Sequence, residues 1–259
     1  TEDDLAVLNG DDESVREAAR GVRARRAFFT LTGRPDRGAW VRDGHLMLDL
    51  GERGLAERIC ETTDVPLRGR HNLANVLAAS IAAASLGVGL GPIARAIRAY
   101  RPQRYVLQKV AQLRGVAFIN DSKATNEAAA AAAQDAVEGP VRLFAGGSDK
   151  GCDFSGLAEV AARRVKAAFL IGECAGRIAQ AFEEADGPPY HVCSSLRDAV
   201  QSAWRAAESG DTVLLSPACA SFDQFRDYAD RGEQFTRIVE DVLAAEGGTE
   251  TAEAPTRRE

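Results

Sequence analysis

The sequence predicts an α/β protein whose larger part is a doubly wound, mostly parallel sheet. Three observations predict it. From about residue 103 onward, strand-like and helix-like stretches alternate regularly, the pattern of βαβ units. Several of those strands are continuous apolar runs, as expected when helices cover both faces of the sheet. Polar or Gly-rich clusters follow the strand ends, where sheets of this kind hold their ligands.

Residues 1–102 read as a mixture of short strands and helices. AVL (6–8) is a strand, a helix follows near 12–20, and AFFTL (27–31) is a second strand. WVRDGHLMLDL reads as a hairpin whose Asp43-Gly44 pair signals a type I′ turn. HNLANVLAASIAAASLG spaces Leu73, Val76, Leu77, Ala79, Ile81 and Leu86 as a helix does, with Gly87 as its terminator. GPIARAIRAY is a further helix, with Pro92 in its first turn and Pro102 beyond its end.

In the second part the strands are VAFIN (116–120), VRLFAGG (141–147), AAFLIG (167–172), YHVC (190–193) and TVLLSPA (212–218). Helical stretches lie near 127–137, 154–164, 174–184, 196–208 and 222–244. The domains expected are therefore 1–102 and 103–246. The closing 247–259 is rich in Gly, Glu, Thr and Pro and is expected to be a disordered tail.

Composition narrows the class. With 45% hydrophobic and 27% charged residues the chain reads as globular and soluble, and no apolar run approaches the ~20 residues of a membrane span. A net charge of -6 argues against sequence-independent nucleic-acid binding. The five cysteines, none in C-x-x-C spacing, read as reduced thiols of a cytoplasmic protein, with no metal site expected from them. The chain opens on Thr1, and Leu5–Leu8 already resembles a buried strand, so a fragment starting inside a larger protein is expected.

Four clusters carry candidate chemistry. Asp121-Ser122-Lys123-Ala124-Thr125-Asn126 follows one strand, GGSDKGCDF (146–154) follows the next with Lys150 in it, and SPACASFDQF (216–225) follows the last. Together they offer two lysines, hydroxyls and helix N-termini, which suits a ligand with more than one carboxylate. Each also has a plainer reading: Asp153 as a helix cap, Ser221 with Gln224 as a capping box on the last helix, and Lys150 as a solvated surface charge. The fourth cluster, Asn72 and Asn75 beside His71, shares one helix face and suits either an exposed helix start or the reading of a base edge. Arg104 lies at the domain junction, as a surface residue or a phosphate contact.

FINDSKATN, LFAGGSDKGCDF and LLSPACASFDQF resemble motifs of the Mur ligases, most of all the branch that adds D-glutamate, and GRHNLANVLAA resembles a segment of the wider family. The resemblance covers about 1–246. It implies the C-terminal portion of a central ATP-binding α/β domain, followed by a Rossmann-like amino-acid-binding domain. It further implies that Asn72 and Asn75 lie near adenine, Arg104 faces the phosphates with a catalytic part, and Asp121 holds the ribose. Lys123, also with a catalytic part, Thr125, Lys150, Ser221, Phe222 and Tyr228 fall on the glutamate side. Gln103 and Val106 stand where the family has His and Glu, and Tyr228 stands where it has Phe.

The reaction implied is the addition of D-glutamate to UDP-N-acetylmuramoyl-L-alanine through an acyl phosphate, with ATP and magnesium, in peptidoglycan precursor synthesis. The enzyme is expected to be a monomer that binds neither nucleic acid nor membrane. No G-x-x-x-x-G-K-[ST] loop occurs, so the chain alone is expected not to form the bond, with magnesium ligands lying elsewhere. A dinucleotide-dependent oxidoreductase would use the same sheet, but GGSDKG lacks G-x-G-x-x-G. An L-glutamate-adding ligase and a non-catalytic module that binds nucleotide or amino acid stay open on the sequence.

Overall fold

The computed structural model describes residues 1–51, 56–67, 69–149 and 151–247. Lys150 and the expected tail from 248 lie outside the described residues. The chain divides into two compact units, Thr1–Pro102 and Gln103 onward.

The first unit is a five-stranded sheet in sequential order: β1 (Leu5–Asn9), β2 (Arg25–Thr30), β3 (Gly38–Arg42), β4 (His45–Asp49) and β5 (Glu57–Glu61). β1, β2 and β3 are parallel, while β3, β4 and β5 are antiparallel. The β3–β4 hairpin turns on Asp43 and Gly44, both at positive φ (49° and 74°), the type I′ geometry that the sequence signals. A short helix α1 (Glu13–Ala18) is capped by Asp12, and α2 (Arg70–Ser85) lays Leu77 and Ile81 on the sheet against Ala27, Ala39 and Leu46. Gly87 ends α2 in a Schellman arrangement: its N–H bonds the Ala84 carbonyl, and the Val88 N–H reaches back to Ala83. Helix α3 (Leu90–Ala99) follows at once, burying Ile93 and Ala94.

The second unit is a six-stranded sheet in the order β10-β9-β8-β11-β7-β6. Its strands are β6 (Gln108–Leu113), β7 (Val116–Asn120), β8 (Val141–Gly146), β9 (Val165–Ile171), β10 (Tyr190–Val192) and β11 (Thr212–Leu215). All pairs are parallel except β6–β7. The interleaved helices are α4 (Glu127–Ala136), α5 (Ser155–Arg164), α6 (Ala175–Glu184), α7 (Leu196–Ala206) and α8 (Tyr228–Ala245). Leu143, Ala145, Leu170 and Leu214 pack with α4, α5 and α6 in one core. Phe144, Phe169, Val213 and Leu215 pack with α7 and α8 in the other. Successive strand residues thus meet helices on opposite faces, which is why the strands read as unbroken apolar runs.

The chain winds outward from β7 through β8 and β9 to β10, then α7 returns it on the other face to β11, between β8 and β7. That reversal is the topological switch point of a Rossmann-like fold, and it gathers the carboxyl ends of β7, β11 and β8 side by side. The amino ends carry a different device. Arg142 donates through Nε to the Asp211 carboxylate at 2.7 Å, with both side chains buried.

Two features depart from the sequence reading. β6 is an added antiparallel edge strand, turning into β7 through Arg114 and Gly115, both at positive φ. The last helix begins at Tyr228, not near 222. Asp227 caps it by accepting the Asp230 N–H, whereas Ser221 closes a single turn through its backbone carbonyl, so the expected Ser221–Gln224 capping box is not formed.

Candidate functional site

At the end of β7 three consecutive polar residues are buried. Asn120 donates its amide to the Gly232 carbonyl at 2.7 Å and accepts the Ser122 N–H. Asp121 accepts the Leu107 N–H at 3.1 Å and the Ser216 hydroxyl at 2.8 Å, tying β7 to β11 and to the segment before β6. Burial pushes its carboxyl up to about 6, the two hydrogen bonds opposing that rise. Each carboxylate oxygen has a further lone pair, so the group is able to accept a ligand hydroxyl as well.

Lys123 and Thr125 follow. The Lys123 ammonium is exposed and meets the side-chain oxygen of Gln103, a neutral partner, while its backbone N–H bonds Tyr105. Thr125 is half-buried, and Asn126 caps α4 through the Ala129 N–H. Arg104 is exposed, its guanidinium 5.0 Å from the centre of the Tyr105 ring.

The β8 and β11 ends are knitted by backbone. Gly146 donates to the Pro217 carbonyl and Ser148 to that of Ala220. Close packing on both sides requires glycine: at positive φ, a Cβ at Gly146 would stand 1.9 Å from the oxygen of Ile171 at the end of β9, and one at Gly147 2.0 Å from the Ala220 oxygen after β11. Around the position of Lys150, Asp149 accepts the Gly151 N–H, and Arg177 of α6 bonds both Asp149 and the Cys152 carbonyl. Lys150 itself lies outside the described residues. Asp153 accepts the Ser155 N–H just before α5, but the cap position expected of it is taken by Phe154.

After β11 the chain passes Ala218 at φ 61° and buries Cys219, Ala220 and Ser221, leaving Phe222 69% exposed. Tyr228 is also exposed, at the start of α8. Cys174 and Cys219 are both buried, and burial pushes both thiols up. The sequence reading missed Arg231, which is fully buried on α8. It donates to the Ser122 hydroxyl (3.0 Å) and carbonyl (2.9 Å) and to the carbonyls of Cys219 and Ala220. Nothing in the sequence distinguishes it from the arginines on exposed helix faces nearby.

In the first unit, Asn72 and Asn75 lie on the first turns of α2 at the edge of a cavity of about 430 Å³. Its walls are mainly apolar: Val65, Leu67, Val76, Pro92, Ile97 and Tyr100 among them. A flat apolar ring with polar edges is the chemistry such a lining suits. His71, next to them, is exposed along its residue surface, and desolvation of its ring lowers its pKa.

Among the described residues no group of three or more His, Cys, Asp or Glu is placed to hold a metal ion, and no helix is long and apolar enough to cross a membrane.

Residues 107–219 match the family described as Mur ligase, glutamate ligase domain. Over 236 residues the chain is 42% identical to a UDP-N-acetylmuramoylalanine--D-glutamate ligase of Solibacter usitatus, covering 91% of this chain and 52% of that protein. A protein of the same name from Acidobacterium capsulatum is 40% identical over 240 residues, covering 92% and 51%. The chain spans about half the length of the curated relatives it matches. Among solved structures it resembles a pseudomurein peptide ligase type C from Methanothermus fervidus (TM-score 0.64, 15% identity, 91% of this chain and 56% of that one). It also resembles the MurF ligase from Thermotoga maritima in complex with ADP (TM-score 0.59, 15% identity, 95% and 55%). At such identities these two likenesses speak for the fold.

Proposed function

Since this chain carries the C-terminal domain of a Mur ligase, we propose that it serves an ATP-dependent ligase joining D-glutamate to UDP-N-acetylmuramoyl-L-alanine in the cytoplasm, for peptidoglycan synthesis. Residues 103–246 would hold the amino acid, and residues 1–102 would be the end of the ATP-binding domain. The observation that carries this reading is the gathering of the β7, β11 and β8 ends, with Lys123, Thr125 and Ser221 borne on loops that Arg231 and Asp121 join.

The chemistry explains the groups. A carboxylate is a poor electrophile, and phosphoryl transfer from ATP turns it into an acyl phosphate that an amine attacks. The amine of glutamate must then be held near the acyl carbon, and such positioning is worth several kcal/mol of barrier. Lys123, and Lys150 by the family resemblance, would bind the two carboxylates of glutamate with charge-assisted hydrogen bonds, with Thr125 and Ser221 adding hydroxyls. Phe222 and Tyr228 would border the same place with aromatic surface. Asn72 and Asn75 would meet the adenine edge beside their apolar cavity, Asp121 would accept a ribose hydroxyl, and Arg104 would neutralise phosphate. Magnesium, when bound, would balance phosphate charge.

Calorimetry of the purified chain with D-glutamate, with L-glutamate and with either in the presence of ATP tests the assignment. The expected result is heat of binding with the D enantiomer and weaker or no heat with the L form. Equal affinity for both would remove the D assignment, and no affinity for either would remove the glutamate assignment. Phosphate release from ATP with all substrates present is expected to be absent for this chain, which has no P-loop.

A further inference from the structure

We propose that Arg231 is a positioning residue for the amino-acid site, fixing the loop after β7 against the loop after β11 so that Lys123 and Ser221 are presented to one ligand. The proposal rests on the glutamate reading above and adds to it a residue outside the two motifs.

Arg231 is 0% exposed, and none of its four hydrogen-bond acceptors is a carboxylate. Burial accordingly pushes its guanidinium down to about 10. A buried cation without a paired anion is costly, and deep burial of arginine is otherwise a feature of ion pairs. What the guanidinium supplies is geometry. Its planar fork places Nε and Nη2 on the hydroxyl and carbonyl of one residue, Ser122, while Nη2 and Nη1 take the Cys219 and Ala220 carbonyls on the other loop. Ser122 immediately precedes Lys123, and Ala220 immediately precedes Ser221. The spacing of the two binding residues is thus set one residue away on each side.

Neighbouring contacts reinforce the choice of this residue. The Ser122 hydroxyl, which accepts from Nε, donates to the Tyr228 carbonyl, so the first turn of α8 is tied into the same junction. Asn120 bonds the carbonyl of Gly232, the residue after Arg231, and a Cβ at Gly232 would lie 2.4 Å from the Tyr105 ring. α8 is therefore held close against the β7 end, where Arg231 reaches both loops.

The experiment compares the full chain with Arg231→Lys and Ser122→Ala by amide hydrogen exchange and by calorimetry with D-glutamate. Lysine keeps the charge but cannot span the acceptors, and Ser122→Ala removes one acceptor while leaving the arginine. The expected result for Arg231→Lys is at least about tenfold faster exchange at Lys123 and Phe225, with strand-interior amides of β8 and β9 unchanged, together with about tenfold or more weaker D-glutamate binding. Ser122→Ala is expected to show the same changes to a smaller degree, and it carries the test if Arg231→Lys does not fold. Unchanged exchange at both loops would overturn the proposal, as would faster exchange with undiminished affinity. If the unsubstituted chain takes up no D-glutamate, the functional reading fails, while the exchange arm still decides whether Arg231 holds the loops.

Discussion

Replacing Asp121 by Asn is expected to stabilise the second unit at neutral pH. Asparagine keeps an oxygen to accept the Leu107 N–H, and its amide can donate to the Ser216 oxygen, so both contacts of the carboxylate have a counterpart. What disappears is the burial of a charge. The carboxyl titrates at about 6 in the fold against 3.8 as the ordinary value. A folded-state pKa above the unfolded one means that this group favours the folded state most below about pH 4, and that this advantage is lost as pH rises towards 6. The rise corresponds to about 3 kcal/mol at pH 7.5, and by the same linkage to about 1 kcal/mol at pH 4.5.

Urea unfolding followed by Trp204 fluorescence reads this directly, since Trp204 packs on Phe118 in the second unit. Trp40→Phe in both proteins silences the first unit's signal. Asp121→Asn should exceed the parent in stability by about 3 kcal/mol at pH 7.5, with the gap shrinking to about 1 kcal/mol at pH 4.5. A destabilised variant at pH 7.5, or a gap that does not change with pH, would refute the reasoning. If the ionised carboxylate does hold a ribose, the same variant binds ATP more weakly, a trade of stability for function at one residue.

Three further outcomes follow from the same geometry. Gly147→Ala forces a Cβ to 2.0 Å from the Ala220 oxygen at a φ of +139°, and should cost at least about 2 kcal/mol in urea unfolding; an unchanged midpoint would show that the two loops move apart freely. Asp211→Ala leaves Arg142 buried without its partner and should cost about 3–5 kcal/mol, whereas a loss below 1 kcal/mol would mean that water reaches the guanidinium. Burial pushes the Cys174 and Cys219 thiols up, and Cys193 up to about 11, while Cys152 is half-buried. A thiol-disulfide reagent at pH 7.5 should therefore modify Cys152 well before these three, and equal rates would contradict their burial.

Much of the fold was legible because the periodicities are simple. The type I′ turn at Asp43-Gly44, the Gly87 terminator and the strands of the second sheet each rest on local sequence signals that tertiary packing agrees with. β6 was not legible, since its register shifts between Lys109 and Ala111 and both Val110 and Ala111 are buried, breaking the alternation that an edge strand usually shows. The start of α8 was misread for a different reason. Ser221 with Gln224 fits a capping pattern, but the Gln224 and Phe225 N–H groups bond the Ser221 backbone carbonyl in a single turn, and Asp227 caps the helix six residues later. Polar clusters at the strand ends were visible in the sequence. The residue that joins them was not, because a lone arginine on a helix becomes distinctive only when four acceptors converge on it.

The two ends of the second sheet handle buried charge in opposite ways. At the amino ends, Arg142 and Asp211 pair directly at 2.7 Å, and the Glu208 N–H adds a bond to the same carboxylate. At the carboxyl ends, Asp121 and Arg231 are buried on either side of Ser122, and each is satisfied by hydroxyls, amides or carbonyls instead of by the other. Burial drives both towards their neutral forms, the carboxyl up to about 6 and the guanidinium down to about 10. A fold selected for stability alone would be expected to pair or remove such charges, since apolar replacement of buried ions is often neutral or better. Their retention at one end of the sheet is understandable if that end meets a ligand bearing both anionic groups and hydroxyls. An anion near Lys123 and Arg231 and a hydroxyl at Asp121 would each stabilise the charged form that burial disfavours. Ligand binding at this edge should then lower the Asp121 pKa and raise that of Arg231, so that affinity is coupled to proton release at Asp121 between pH 5 and 7.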